Sequence, residues 1–376
     1  MEIAIKSPDE SKLLAELAKR QDAEGKRLQR FLDLPDLSRT IDSPIGALVE
    51  QVKRLPLFRD FDLITIPEIV SAKISFDLFN FAPDHPARSR SDTYYVDDEN
   101  ILRTHDTVMW HYYLNHPDIK KKIANQEPLG VLCYGKVYRK DEIDRRHLNV
   151  FHQMGGLYLV PDSKQTLTFD DLKKVLTDIT QNLFGAKVNF RFNPDTFPYT
   201  DPSLEVEVDK NGQWIEILGG GLPRKEVLAN FGLQGYNGWA FGFGLERLAI
   251  LSMDLPDIRL IWSDDPRVKK QLKLGHKYEE VSKYPPITRD ISFIVPNTFV
   301  PNNYFDLIRD LGGNLVEEVG LLDKYENVAK FGEGKMSYTY RIVYRHPDRT
   351  LTNTEINDLD KKIRERTASD FSATLR

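Results

Sequence analysis

The stretch that decides the fold is LEVEVDKNGQWIEILGGG, residues 204–221. Two runs rich in β-branched and aromatic residues flank Asn211-Gly212, a dipeptide typical of tight hairpins. Strands joined by only two residues run antiparallel. The stretch therefore predicts an antiparallel sheet and disfavours the parallel, doubly wound sheet of a Rossmann nucleotide site.

Similar runs lie on both sides of this hairpin, between residues 93 and 262. Only two helical stretches stand out there, TFDDLKKVLTDITQNLFG at 168–185 and GFGLERLAILSM at 242–253. We therefore expect residues 41–263 to form one α+β domain, in which helices flank an antiparallel sheet. The other strand candidates are TYYV, GVLCYGKVYRK, GGLYLVPD and KVNFRFN.

The N-terminal part of the chain has a helical pattern. Residues 1–40 are highly charged, and we expect a helical extension there. SPIGALVEQVKRLPLF follows at 43–58, with Ser43 suited to cap a helix and Pro44 to its first position. Its apolar spacing predicts a long helix facing the core. A possible apolar stripe in the extension comprises Leu13, Leu14, Leu17, Leu28, Phe31 and Leu32.

The C-terminal quarter has a different pattern. Residues 264–280 are strongly charged and precede a double proline, so we expect a linker there. From 281 to 376 the order of elements is strand, helix, strand, strand, helix and short strand. This order predicts a ferredoxin-like βαββαβ domain.

Length and composition restrict the class of protein. A chain of 376 residues suits two or three domains. The net charge of −5 argues against a general nucleic-acid coat protein. No apolar run approaches the roughly 20 residues that span a bilayer, and we expect a cytoplasmic protein or a mature organellar one. One cysteine, Cys133, excludes an intrachain disulfide and a cysteine-rich zinc site, and we expect it to be a buried strand residue.

Two arginines offer another design for a nucleotide site. The chain has no GxxxxGK[ST] loop, no GxGxxG between a strand and a helix, and no kinase motifs. Arg139 follows a strand in GKVYRKDEIDRRHLNVFHQ, and Arg247 opens a helix in GFGLERLAIL. Two arginines that reach one site from different elements can clamp a triphosphate and stabilise charge at its α-phosphate.

Taken in order, these segments resemble the three motifs of class II aminoacyl-tRNA synthetases, and specifically those of the phenylalanyl-tRNA synthetases. Residues 43–69 are similar to motif 1, 135–153 to motif 2 of the single-chain organellar form, and 238–251 to motif 3. The stretches SFDLFNFAPDHPAR, ILRTHDT, FPYTDPSLEVEV and WIEILGGG resemble further family segments. In residues 281–376, SKYPPITRDISF, RTLTNTEIN and ATLR resemble the family's ferredoxin-fold anticodon-binding domain.

The resemblance implies that ATP and Mg²⁺ serve to activate phenylalanine, which is then transferred to the terminal adenosine of tRNA(Phe). It gives catalytic roles at the phosphates to Arg139, Arg247 and His147, and makes Glu216 the magnesium ligand. The implied ATP site comprises Arg139, His147, Phe151, Glu216, Gly219, Gly244 and Arg247. The implied amino-acid site comprises His105, Thr107, Asp141, Gln153, Phe197, Tyr199, Gly221 and Ala240. Candidate tRNA contacts are Arg289, Arg341 and Arg345, with Lys335 and Arg376 as further basic residues.

The chain departs from the family pattern around the amino-acid ring. Tyr199 stands where the family has a second phenylalanine, and its hydroxyl needs a partner if it is buried. The family's Gln-x-Glu reads Gln153-Met154-Gly155, so a carboxylate is lost. The family's THTS reads THDT and ends in Thr107, and Asp201 replaces a glutamate.

These departures leave alternatives open. One is a paralogue with altered specificity, for tyrosine or a non-standard amino acid. Another is a protein that senses amino acids or binds tRNA without charging it. The resemblance to the single-chain form implies a monomer or a homodimer, and the two modules leave no room for an editing domain between them.

Overall fold

The structure, a computed structural model, describes residues 1–281, 284–346 and 349–376, and these form two compact units. Ser282 and Lys283, which belong to the predicted C-terminal domain, lie outside the described residues. No helix in the described part of the chain is long and apolar enough to cross a membrane. The first unit comprises Met1–Arg139, Val150–Asp254 and Leu272–His276, and the second comprises Lys140–Asn149, Leu255–Gln271 and Lys277–Arg376.

An eight-stranded sheet forms the centre of the first unit. Its strands lie in the order β1-β2-β5-β6-β10-β9-β8-β7, with the first two pairs parallel and the others antiparallel. Asn211 and Gly212 join β8 to β9 with positive φ angles of 57° and 84°, as the hairpin requires. The strands are β1 (Glu2–Ala4), β2 (Asp62–Thr65), β5 (Leu129–Tyr138), β6 (Val150–Pro161), β7 (Phe190–Phe197), β8 (Thr200–Lys210), β9 (Gln213–Pro223) and β10 (Tyr236–Gly244), and β3 (Ile69–Ser71) and β4 (Asn100–Leu102) form a separate pair.

Helices pack around this sheet. Ser43 caps α3 through its side chain, and Pro44 is its first residue, as predicted. Leu17, Leu28 and Phe31 of the predicted N-terminal stripe are buried in one apolar cluster. The helices are α1 (Pro8–Leu17), α2 (Ala23–Asp33), α3 (Pro44–Lys53), α4 (Ala72–Ser75), α5 (Met109–Asn115), α6 (Pro117–Ala124), α7 (Phe169–Phe184), α8 (Lys225–Asn230) and α9 (Leu245–Met253).

Several sequence expectations for the first unit were incomplete. Residues 2–4 pair in parallel with β2, so the N-terminal extension also supplies an edge strand. Three residues are too few to show the alternating pattern of a strand, so this strand could not be predicted from the sequence. Helices α5, α6 and α8 were missed because they are short, at seven, eight and six residues. Leu14 is exposed and does not join the stripe.

The second unit contains a four-stranded antiparallel sheet in the order β12-β13-β11-β14. Its core includes Tyr304 and Ile308 of α11 and Ile356 and Ile363 of α13, packed against the sheet. The predicted ferredoxin-like order is confirmed, and with it the α+β class. The elements are α10 (Pro266–Lys269), β11 (Ile287–Pro296), α11 (Pro301–Gly312), β12 (Val316–Glu326), α12 (Val328–Phe331), β13 (Lys335–Tyr344), α13 (Asn353–Asp370) and β14 (Thr374–Leu375).

Helix α7 begins with a reciprocal cap. The Thr168 hydroxyl accepts a hydrogen bond from the Asp171 amide at 3.3 Å, and the Asp171 carboxylate accepts one from the Thr168 amide at 2.7 Å. We predict that Thr168→Ala lowers the free energy of unfolding by about 1 kcal/mol, measured by urea unfolding followed through tryptophan fluorescence. Thr166→Ala, at an exposed position outside the helix, is the matched control, and equal effects of the two changes would contradict this role.

Candidate active site

A buried histidine and glutamate fix the strand and helix that carry the site. His152 of β6 and Glu246 of α9 are 0% and 2% exposed. His152 Nδ1 lies 2.6 Å from Glu246 Oε1, and the His152 amide donates to Oε2 at 2.8 Å. The Leu37 amide donates to the other ring nitrogen, Nε2, at 2.9 Å. The pair therefore sets the start of α9 against β6, next to Gln153 and Arg247.

Arg139 follows the last residue of β5 and is held on two sides. Its Nε donates to the Thr104 carbonyl oxygen at 3.0 Å. The guanidinium carbon lies 5.3 Å from the centre of the Phe151 ring, within the range of a cation–π contact. Phe151 and Arg139, two of the predicted nucleotide residues, are thus in direct contact.

The charge of Arg139 reaches the predicted amino-acid residues. Burial is the largest influence on the pKa values of His105, Asp106 and Tyr199, and the Arg139 charge acts on all three. Such action requires short separations. Arg139 therefore lies near these side chains.

Arg247 and Glu216 form an ion pair at the edge of the site. Arg247 Nη1 lies 3.0 Å from Glu216 Oε2 and also donates to the Glu216 carbonyl oxygen at 3.2 Å. Both side chains are about half exposed. The predicted phosphate ligand and the predicted magnesium ligand thus form an ion pair with each other.

A second carboxylate, which the sequence analysis did not select, faces Glu216. Burial raises the pKa of Glu205, and the negative charges of Glu216, Asp195 and Glu207 add to that rise. The sequence feature that could have identified Glu205 is the alternating pattern LEVEVD on β8. This pattern places Glu205 and Glu207 on one face of the sheet. Within residues 1–281, 284–346 and 349–376, no group of three or more His, Cys, Asp or Glu side chains is placed to hold a metal ion.

Glycines line the floor of the pocket across three strands. Gly242 of β10 is paired with Gly155 of β6 on one side and with Gly219 of β9 on the other. A Cβ atom at Gly221 would lie 2.5 Å from Thr200, which leaves no room for a side chain. At Gly244 the added atom would meet nothing within 4 Å, so packing does not require glycine there.

Aromatic rings form a slot above this floor. The rings of Phe197 and Tyr199 are stacked, with centres 5.8 Å apart. Phe79 and Trp110 contact Tyr199 edge to face at 5.7 and 6.1 Å. Ala240, which is 6% exposed, belongs to the same apolar cluster. Sequence reasoning named Phe197, Tyr199 and Ala240 but missed Phe79 and Trp110, which lie on helical turns distant in sequence.

The hydroxyl of Tyr199 has a partner. Burial raises the pKa of this hydroxyl to about 12, and its interaction with the Thr107 side chain opposes that rise. The two departures from the family pattern at 199 and 107 are thus in contact. The hydroxyl is engaged with the protein, and the ring remains as an apolar wall.

The polar end of the slot comprises His105, Gln153 and Asp106. His105 Nε2 lies 3.1 Å from the Ser75 carbonyl oxygen, which identifies Nε2 as the protonated nitrogen. Gln153 Oε1 accepts a hydrogen bond from the Asp106 amide at 3.1 Å. The sequence analysis missed Asp106 as a site residue, although it stands in THDT at a departure from the family pattern.

Asp141 and His147 lie on residues 140–149, which belong to the second unit. There the His147 Nδ1 atom lies 2.8 Å from Asp144 Oδ2, and Asp141 accepts a hydrogen bond from the Glu142 amide at 2.9 Å. Ile143 packs in the second unit's core. The structure thus groups these two residues apart from the other site residues, and the domain limits 1–40, 41–263, 264–280 and 281–376 stay a prediction.

The candidate tRNA-binding arginines have protein partners. Arg289 donates to Asn353 and Asn357, and Arg341 forms two hydrogen bonds of 2.8 Å with Asp290. Arg341 is exposed, and Arg289 is partly buried. Arg345 instead pairs with Glu317, which is 2% exposed.

Comparison with known proteins assigns the class. Residues 33–272 match the family model described as tRNA synthetases class II core domain (F), and residues 282–376 match the ferredoxin-fold anticodon binding domain. The sheet and its site are therefore those of a class II aminoacyl-tRNA synthetase. The order of motifs in the sequence had indicated this class.

Similar relatives identify the family. The chain is 39% identical over 319 residues to the chloroplastic/mitochondrial phenylalanine–tRNA ligase of Arabidopsis thaliana, covering 82% of this chain and 71% of the relative. It is 36% identical over 349 residues to the mitochondrial enzyme of Mus musculus, covering 83% and 74%. The phenylalanine–tRNA ligase alpha subunit of Psychrobacter arcticus is 35% identical over 231 residues, covering 61% and 62%. The chain belongs to the phenylalanine–tRNA ligase family.

The environment of His105 predicts an unusual titration. Burial, followed by the charge of Arg139, lowers the pKa of this imidazole to about 4. We predict that its ¹⁵N NMR signals report a neutral ring from pH 8 down to about pH 5. The unfolded chain binds this proton near pH 6.5, so the residue's contribution to stability falls as the pH decreases from about 6.5 to 4. His105→Gln assigns the signal, and a midpoint near 6.5 would contradict the prediction.

Proposed function

We propose that this chain activates phenylalanine with ATP and transfers it to the terminal adenosine of tRNA(Phe). The observation that carries the proposal is the aromatic slot of Phe197 and Tyr199, with the charge of Arg139 acting on Tyr199, on the sheet of a class II synthetase. An apolar, planar slot accepts a phenyl ring, and the arginine beside it suits a carboxylate and a phosphate.

Activation brings together two anions, the substrate carboxylate and the triphosphate. The positive charges of Arg139 and Arg247 can offset their repulsion. One oxygen of the substrate carboxylate attacks the α-phosphorus, and the bond to the β-phosphate oxygen breaks as pyrophosphate leaves. We assign Arg139 to the carboxylate and the α-phosphate, and Arg247 to the γ-phosphate after it leaves Glu216. The carboxylate is ionised at neutral pH, so no general base is needed for this step. Phe151, Gly219 and Gly244 complete the proposed nucleotide site, and the role of His147 stays a prediction.

Class II synthetases generally use Mg²⁺ with ATP, and the carboxylates of this site fit that ion. The negative charge of Glu216 contributes to the raised pKa of Glu205. Mg²⁺ takes one or two carboxylates together with phosphate oxygens. Glu216 would hold the ion, which would neutralise phosphate charge.

The slot favours phenylalanine over tyrosine. The Tyr199 hydroxyl is engaged by Thr107, and Ala240 is buried within the apolar lining. A substrate hydroxyl would enter these apolar surroundings and lose its water. We assign His105, Thr107, Gln153, Phe197, Tyr199, Gly221 and Ala240 to the amino acid, and Asp141 stays a prediction.

We predict that Arg139→Ala lowers phenylalanine-dependent pyrophosphate exchange at least about 100-fold, because it removes a charge that the transition state requires. Exchange measured over the twenty amino acids should peak at phenylalanine in the unaltered protein. Arg59→Ala, at an exposed position, is the control for loss of an arginine. Near-normal exchange by Arg139→Ala would refute its role, and no exchange by the unaltered protein with any amino acid would refute the proposed function.

We further propose that the second unit binds tRNA through Arg289 and Arg341. Each of Arg289→Ala and Arg341→Ala should raise the KM for tRNA about fivefold and leave pyrophosphate exchange unchanged, since each loses a phosphate contact. Lys361→Ala, on the exposed surface of α13, is the control. Unchanged KM values in both arginine variants would remove these residues from the interface.

Arg345 differs from the other two candidates. Because it neutralises the buried Glu317, its replacement should lower stability as well. We therefore expect Arg345 to contribute less to tRNA binding than Arg289 and Arg341.

The oligomeric state and the cellular compartment of the protein are also proposals. We keep the monomer or homodimer predicted from the sequence, to be distinguished by light scattering. Two of the relatives cited above are named as mitochondrial or chloroplastic proteins, which favours a mature organellar protein over the cytoplasmic one expected first.

A further inference from the structure

The second unit contains a cavity of its own. Its volume is about 350 Å³, and pockets of this size hold small organic molecules. The described residues that line it lie at 145, within 256–265, within 278–281, within 314–317 and at 345–346, and all belong to the second unit. None of these segments carries a residue that we assign to the amino acid or to ATP.

Three arginines in the lining surround one buried carboxylate. Glu317 is 2% exposed, and its two carboxylate oxygens accept hydrogen bonds from Arg145 Nη2 and, at 2.5 Å, from Arg345 Nε. Arg259 Nη2 lies 3.9 Å from Glu317 Oε2 and 2.6 Å from Asp257 Oδ2. Three positive charges thus meet two negative ones, which leaves one positive charge in excess.

The excess charge is most accessible at Arg145. Its side chain is 49% exposed, and within the described part of the chain the guanidinium group donates to Glu317 alone, through Nη2. A guanidinium group has five N–H donors, so most of those on Arg145 are available to a ligand. Arg259 and Arg345, by contrast, also donate to backbone carbonyl oxygens.

The other acidic residues of the lining do not cancel this charge. Asp264 forms an ion pair with Lys269 at 2.7 Å, and Asp265 forms one with Arg267 at 2.6 Å. Glu280 is exposed, so water and salt screen its charge. The cavity therefore favours an anionic group of a ligand beside the accessible arginine.

The remaining lining is largely aromatic and apolar. Trp262 is partly buried, and Tyr278 is 7% exposed. Leu260 and Leu315 add apolar surface, and Ser263 adds a hydroxyl group. Aromatic side chains bind planar rings by stacking, and nucleic-acid bases stack in this way next to basic side chains. A planar ring combined with an anionic group is characteristic of a nucleotide.

We propose that this cavity binds a free nucleoside monophosphate, with the phosphate at Arg145 and the base against Trp262 and Tyr278. One excess positive charge suits a single phosphate group, whereas a triphosphate would bring further negative charge towards Glu317 and Asp257. The site is distinct from the proposed ATP site, and the inference does not depend on the proposed function.

The Trp262 indole provides a signal from the second unit itself. The full chain has four tryptophans, so ¹⁵N-labelled tryptophan gives four indole signals in NMR, and Trp262→Phe assigns one of them. AMP should shift the Trp262 signal saturably, with a Kd below about 1 mM. Adenosine lacks the phosphate and ribose 5-phosphate lacks the base, so each should bind at least about 10-fold more weakly. ATP should also bind more weakly than AMP.

Variants of one arginine test the phosphate contact. Arg145→Gln should raise the Kd of AMP at the Trp262 signal at least about 10-fold, because it removes the accessible cation. Arg145→Lys keeps the charge and should retain most of the affinity. Glu317 keeps Arg259 and Arg345 as partners in both variants, so the fold should be preserved. Arg146→Gln, which changes the exposed neighbour in the sequence, is the matched control and should leave the Kd unchanged.

Three results would overturn the proposal: no saturable shift of Trp262, equal affinity for adenosine and AMP, or unchanged AMP affinity in Arg145→Gln. If Arg145→Gln fails to fold, the comparison of AMP with adenosine on the unaltered protein decides. Displacement of AMP by tRNA would identify the ligand as a nucleotide of RNA and overturn the assignment to a free one.

AMP also resembles the ligand of the proposed ATP site, and a further variant separates the two sites. The Trp262 shift should persist in Arg139→Ala, since that residue belongs to the first unit. Loss of the shift in Arg139→Ala would show that AMP acts from the first unit and would overturn the proposal. Pyrophosphate exchange is measured separately, so failure of the proposed function is distinguishable from failure of this site.

Discussion

The contact between His152 and Glu246 is the interaction on which the site depends. Residues alternate across a strand, so burying His152 on one face of β6 turns Phe151, Gln153 and Gly155 to the other. Glu246 lies beside Arg247 at the start of α9. One buried pair therefore sets both the strand that faces the substrate and the helix that carries the phosphate ligand. Removing either partner would leave the other polar group buried and unsatisfied, which is why the pair constrains both elements.

The parts of the fold with strong local signals were predictable from the sequence. Asn211-Gly212 defined the central hairpin, and Ser43-Pro44 defined the start of α3. The order of elements after residue 281 defined the second sheet. Short elements were not predictable, because three residues of β1 or six of α8 contain too few periods for a pattern. Such elements depend on pairing and packing with distant residues.

The candidate site was predictable to a similar extent. Individual motif residues such as Arg139 and Tyr199 were selected from the sequence, and the structure places Tyr199 within reach of the Arg139 charge. What sequence order could not show was which departures touch each other. Thr107 interacts with the Tyr199 hydroxyl, and Asp106 fills the space above Gly155. Each pair is separated by tens of residues in the chain, and only the packed sheet brings its members together. Considered one at a time, the changes at residues 107, 155 and 199 indicate a loss of specificity. Their contacts in the structure indicate instead that one pocket is retained.

The position of Ile143 bears on how this protein can be divided for study. Residues 140–149 separate two neighbouring strands of the first sheet in the chain, yet Ile143 packs in the second unit's core and Val319 donates a backbone hydrogen bond to its carbonyl oxygen. Gene fragments are usually cut at an apparent linker. A fragment beginning near residue 281 would lack one of its own interior side chains and the adjoining stretch 255–271. Recombinant expression of the C-terminal portion alone would therefore produce a domain with a cavity in its core. Biochemical work on this domain should use the intact polypeptide.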